Sequence, residues 1–66
     1  MYIVIEMQKN ADGVMSDITT SFNTLSEAYN KYYSILAFAA ISELPVHSAM
    51  IVSEECFVVE SKCFKH

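Results

Sequence analysis

The sequence holds no arginine and no tryptophan, one glycine, one proline and two cysteines in 66 residues. Each shortage excludes something. Without arginine there is no guanidinium fork for bidentate recognition of phosphate or carboxylate. The cations are four scattered lysines, Lys9, Lys31, Lys62 and Lys65, against eight acidic residues, for a net charge of −4. Nucleic-acid binding needs clustered cations that displace counterions, so no nucleic-acid partner is expected. A single glycine cannot build a phosphate-cradling loop. The longest apolar run, Ile35 to Ile41, is seven residues, against the roughly 20 that cross a bilayer. No membrane partner is expected either.

What is abundant is apolar surface. Hydrophobic residues make up 53 % of the chain, about 35 side chains, which excludes disorder. The length allows one domain, residues 1–66, and a domain of roughly 60 residues buries only about 60 % of its unfolded surface. The acids keep such a chain in solution, and a partner recognised by charge would be basic. The opening Met1-Tyr2-Ile3-Val4-Ile5-Glu6 has a strand pattern and not that of a secretory signal. Cys56 and Cys63 fall in one expected strand at an odd spacing. They would face opposite ways, roughly 23 Å apart at about 3.3 Å per residue, beyond disulfide reach. Free thiols point to a reducing compartment, hence the cytoplasm.

Residues 1–9 alternate Met1, Ile3, Ile5 and Met7 against Tyr2, Val4, Glu6 and Gln8, the pattern of a half-buried strand. Asn10-Ala11-Asp12-Gly13 fits a type I turn closed by a left-handed glycine bulge. Residues 14–22 alternate again, completing a hairpin. Thr24-Leu25-Ser26-Glu27 is a capping box, and a helical period follows to about Ser42. Leu25, Ala28, Tyr29, Tyr32, Leu36, Ala39 and Ala40 share one face, opposite Glu27, Asn30, Lys31 and Ser34. Pro45 stops the helix near Ser42 or Glu43. Val46 to Ser53 and Cys56 to Phe64 are two further strands about Glu54-Glu55. The expected class is α+β: a ββαββ order, with a four-stranded sheet of two hairpins and one helix on one face. The first and last strands, being the most apolar, are expected side by side at the centre. That arrangement resembles the small immunoglobulin-binding domains of bacterial surface proteins, in element order only, and their function is not implied.

One helix covers one face. With Met1, Ile3, Ile5, Phe57 and Val59 assigned beneath it, Tyr2, Val4, Val58 and Phe64 look outward among Glu6, Glu60 and Lys62. On the helix, stepping 100° per residue from Leu25, Phe38 falls at about 220° and Ile41 at about 160°, on the solvent side. Tyr2, Val4, Phe38, Ile41, Val58 and Phe64 are therefore the candidate interface residues, because contiguous apolar patches and aromatics mark association sites. Taken singly, Tyr29, Tyr32 and Tyr33 read as core-edge residues with their hydroxyls in water.

The catalytic inventory is thin, and no enzyme is expected. His47 could in principle pair with Cys56 or Cys63 as base and nucleophile, but nothing orients its ring. Two cysteines and two histidines (His47 and His66) are zinc-type ligands at the wrong spacing for a knuckle. No catalytic residue, metal or cofactor is assigned, and Glu54-Glu55 reads as a solvated hairpin tip.

The segments Met1-Tyr2-Ile3-Val4-Ile5-Glu6-Met7-Gln8 with Asn10-Ala11-Asp12-Gly13, Glu27-Ala28 with Lys31-Tyr32 and Leu36-Ala37, and Pro45-Val46-His47-Ser48-Ala49 resemble small uncharacterised proteins of Gram-positive gut bacteria and their phages. That resemblance implies no activity; it implies a mobile-element origin, in which very short acidic proteins often bind a host protein. The expected function is a non-catalytic cytoplasmic interaction module. It would self-associate through an apolar surface, a dimer being favoured, with inhibition of a host protein as a further role. The alternative is a small-molecule or metal binder whose site forms between subunits from His47, the tyrosines and the thiols.

Overall fold

A computed structural model describes residues 1–66. The elements follow in the order β1 (Tyr2–Lys9), β2 (Met15–Phe22), α1 (Leu25–Ile41), β3 (Val46–Val52) and β4 (Val58–Lys65). The expected α+β class and ββαββ order hold. The four strands form one open antiparallel sheet in the order β2-β1-β3-β4.

Both hairpins close by the same device. In the first, the Gly13 N–H donates to Asn10 O and the Asn10 N–H to Val14 O, each at 3.0 Å. The Asn10 side-chain oxygen accepts from the amides of Asp12 and Val14, and Gly13 sits at φ +83°. In the second, the Cys56 N–H donates to Ser53 O at 3.0 Å and the Ser53 N–H to Phe57 O at 2.9 Å. Ser53 Oγ accepts from Glu55 N, and Cys56 occupies the left-handed position at φ +63°. Ser53-Glu54-Glu55-Cys56 thus repeats the geometry of Asn10-Ala11-Asp12-Gly13 with a cysteine where the first turn has its glycine. Cys56 is therefore a turn residue, not a strand residue, and β4 starts two positions later.

The helix begins as its capping box predicts. Thr24 Oγ1 accepts from Glu27 N at 3.2 Å and lies 3.0 Å from Glu27 Oε1, so the carboxylate takes the cap hydroxyl. At the other end the Ser42 N–H donates to Ala39 O. His66 Nε2 reaches the same carbonyl at 2.8 Å, a second donor at the C-terminal end of the helix.

The central pair is β1 with β3, which corrects the expectation of β1 beside β4. The apolarity credited to the last strand lay at its start. Phe57 belongs to the turn, and beyond Val59 the strand carries Glu60, Lys62 and Lys65. Glu60 and Lys62 are registered with the buried Ile51 and Ala49, so they lie on the helix-side face and need an edge to reach water. β3, with His47, Ala49 and Ile51 all buried, takes the centre. The likeness to the immunoglobulin-binding domains is thereby confined to element order.

The face beneath the helix is also the opposite of the expected one. The core is Val4, Ala28, Tyr32, Ile35, Ala49 and Ile51, with Tyr2, Phe22, Tyr29 and Leu36 packed against it. Small side chains decide this. Ala28, Ala39 and Ala49 are essentially inaccessible, and a row of alanines lets helix and sheet approach closely while the bulkier Ile3, Ile5 and Met50 stay on the far side. The buried stripe of α1 is Ala28, Tyr32, Ile35 and Ala39. It is rotated by about 50° from the expected one at 100° per residue, which brings Ile35 in and leaves Leu25 and Ala40 exposed.

Candidate interaction surface

Directly paired residues of an antiparallel sheet share a face, so the register defines the side that no helix covers. Its rows, read from β2 to β4, are Ser21, Ile3, Val52 and Val58; Thr19, Ile5, Met50 and Ser61; Asp17, Met7, Ser48 and Cys63; and Met15, Lys9, Val46 and Lys65. The apolar residues concentrate on the two central strands. Ile3, Ile5 and Met7 on β1, and Val46, Met50 and Val52 on β3, are half-buried. Serine, threonine, aspartate and lysine dominate the flanking strands. An apolar centre inside a polar rim is the composition of a protein–protein contact. At one end of the face, a shallow hollow of about 240 Å³ opens among Met7, Lys9, Met15, Val46 and Ser48.

The face measures about 500 Å², from four strands at about 4.8 Å spacing and eight residues at about 3.3 Å rise. The apolar centre on β1 and β3 takes up about half of it, and contiguous apolar patches rimmed by polar residues mark association sites. The total accessible surface, 4368 Å², is close to the roughly 4,200 Å² expected for the mass. The chain is therefore as compact as other monomers of its mass.

The six expected interface residues divide. Phe38 and Ile41 are 70 % and 81 % exposed, on the solvent side of α1 where the helical angles put them. Val58 is exposed on the open face. A bulge between Ile51 and Val52 shifts the register so that Val58 lies beside Val52. The other three are on the helix side. Val4 is 1 % exposed and central to the core, so it cannot serve as an interface. Tyr2 packs against that core. Phe64 is registered with buried His47 and is half-buried, with Lys62 Nζ 5.5 Å from its ring centre. Ile3, Ile5, Met7, Val46 and Met50, not among the six, lie on the open face. The alternation of β1 did separate the two sets; it was the assignment of the helix to the more apolar set that failed.

The polar residues form a second grouping, inside the fold. His47 is 4 % exposed, and its Nε2 lies 2.7 Å from Glu6 Oε2. Gln8 Nε2 donates to the same oxygen at 3.0 Å. With the Nε2 proton shared with Glu6, Nδ1 is left buried without a partner. This trio is covered by the fold. Cys56 and Cys63 are exposed, on the turn and on the open face, and do not join it. Within one copy of the chain, His47, the tyrosines and the thiols are not brought together.

Three tyrosines cluster on α1. Tyr29 and Tyr33 stack at 5.7 Å, and Tyr32 meets both rings edge-on. Burial, then the charge of Glu60, raises the Tyr32 hydroxyl above the ordinary tyrosine value. For Tyr33 the Glu60 charge comes first and burial second. No helix is long and apolar enough to cross a membrane.

Comparison with protein families, curated proteins and solved structures returned no match.

Proposed function

We propose that the protein is a non-catalytic interaction module that self-associates, as a dimer, through its open sheet face. The observation that carries this reading is the apolar centre on β1 and β3, rimmed by Ser, Thr, Asp and Lys and covered by no element of the chain. Two such faces in contact bury about 1,000 Å² in total, the lower bound for a specific interface. A cytoplasmic setting is part of the proposal and is supported by two exposed free thiols. A phage or prophage origin with a host protein as second partner rests on the sequence resemblance.

Light scattering across a concentration series tests the reading. The expected result is a rise above 7.4 kDa with concentration, and a lower mass for Ile5→Glu than for the parent wherever the parent associates. Residue 5 lies on the open face, so this variant keeps the helix-side core and the circular dichroism of the parent. A monomer at every concentration up to millimolar overturns the proposal.

A further inference from the structure

An open sheet has two edges, and they differ here. β4 carries a bulge, Glu60, Lys62 and Lys65, devices that keep foreign strands away. β2 (Met15–Phe22) has none of them: eight residues without bulge, proline or lysine, and one charge, Asp17. It is also largely exposed, with Met15 62 % and Ile18 56 % accessible.

The turn fixes which backbone groups of β2 are free. The Asn10 N–H to Val14 O bond makes that pair a hydrogen-bonded one, and bonded and non-bonded pairs alternate along an antiparallel ladder. Ser16, Ile18, Thr20 and Phe22 therefore bond to β1. Met15, Asp17, Thr19 and Ser21 turn their N–H and C=O groups outward.

We infer that the outer edge of β2 pairs antiparallel with β2 of a second copy, about a two-fold axis through Thr19. An axis perpendicular to the sheet keeps both helices on one side and requires a residue, not a peptide bond, at its centre. Centring on Thr19 sets Thr19 against its own mate and Asp17 against Ser21 of the partner strand. The first is a favourable cross-strand pair, and the second sets no like charges opposite each other. It also holds the two Asp17 carboxylates about 14 Å apart at about 3.3 Å per residue, beyond the Debye length of about 8 Å. Centring one residue earlier, on Ile18, brings them to diagonal neighbours. Among registers that keep the strand paired along most of its length, charge placement therefore favours Thr19 over Ile18, and the occupant it fits is this same strand.

The edge contact is separate from the open face, and the tests keep them apart. In a Cys56→Ser, Cys63→Ser background, Thr19→Cys is expected to form a disulfide-linked dimer on mild oxidation, since bonded pairs stand about 5.5 Å apart. Asp17→Cys is expected not to, and Ile5→Glu should leave the Thr19→Cys cross-link intact. The amides of Asp17, Thr19 and Ser21 should gain protection from hydrogen exchange as concentration rises. Thr19→Pro removes one outward N–H and no bond to β1, so it should abolish that protection in the remaining two. Fast exchange at those amides in a sample shown to be dimeric overturns the inference, as does failure of Thr19→Cys to cross-link. If Thr19→Pro loses the fold by circular dichroism, the cross-linking pair decides alone.

Discussion

Cys56 holds a backbone conformation at φ +63° that its turn needs and that a side chain resists. A left-handed non-glycine residue costs about 1 kcal/mol or slightly more, and the equivalent position in the first hairpin is Gly13. Cys56→Gly should therefore stabilise the fold by about 1 kcal/mol. Gly13→Ala should destabilise it by a similar amount through the backbone alone, because a Cβ there meets nothing within 4 Å. Urea midpoints of the two variants, shifted in opposite directions, check both. The Glu6–His47 pair makes a larger prediction. Leaving a buried hydrogen-bonding partner unsatisfied costs about 1–3 kcal/mol, so Glu6→Ala, which strands the buried His47 ring, should markedly lower the stability of so small a domain. Glu6→Leu with His47→Leu removes both polar partners and should recover most of the loss.

Among the elements, the helix carries an alkaline response. The Tyr32 and Tyr33 hydroxyls are raised in the fold, so the neutral phenol is the form the native state favours. The stability that goes with it is fully present below the unfolded tyrosine value of about 10. It is lost as pH rises through the folded values, where a phenolate would face Glu60. The unfolding midpoint should fall above about pH 10, together with phenolate absorbance at alkaline pH, and Tyr32→Phe should flatten that fall. The elements themselves were largely legible in the sequence. Asn10 to Gly13 marked the first hairpin, Thr24 to Glu27 the helix start, and Pro45 its end. What period-two alternation cannot say is which face receives the helix. Apolarity pointed to Ile3 and Ile5, whereas close packing chose the side of Val4 and Ala49. The second turn, without a glycine, hid its own kinship with the first, and the bulge near Val52 reversed the facing of Val58 relative to Phe64.

At the scale of the whole molecule, the candidate surface was legible as a quantity and not as a place. An excess of apolar residues follows from composition. Its location required knowing that β1 and β3 are central, which no local signal in either strand declares. The resulting body, 34 × 19 × 15 Å, is one helix on one sheet, with only 8 of 66 residues buried. So thin a core makes each inward residue matter: Val4→Ala should cost about 2 kcal/mol or more, and Ile5→Ala far less in the dilute monomer, as urea unfolding would read. The β1–β3 seam has a kinetic consequence. Each hairpin closes over a four-residue turn and can form early, but joining them must wait until the intervening helix brings residues 3 and 52 together. Long-range pairing of that kind sets the folding barrier. Truncations at the seam, such as Ile51→Val, should slow refolding, while truncations on the outer strands should mainly speed unfolding. In this chain the time to fold is written at the join between two ready-made halves.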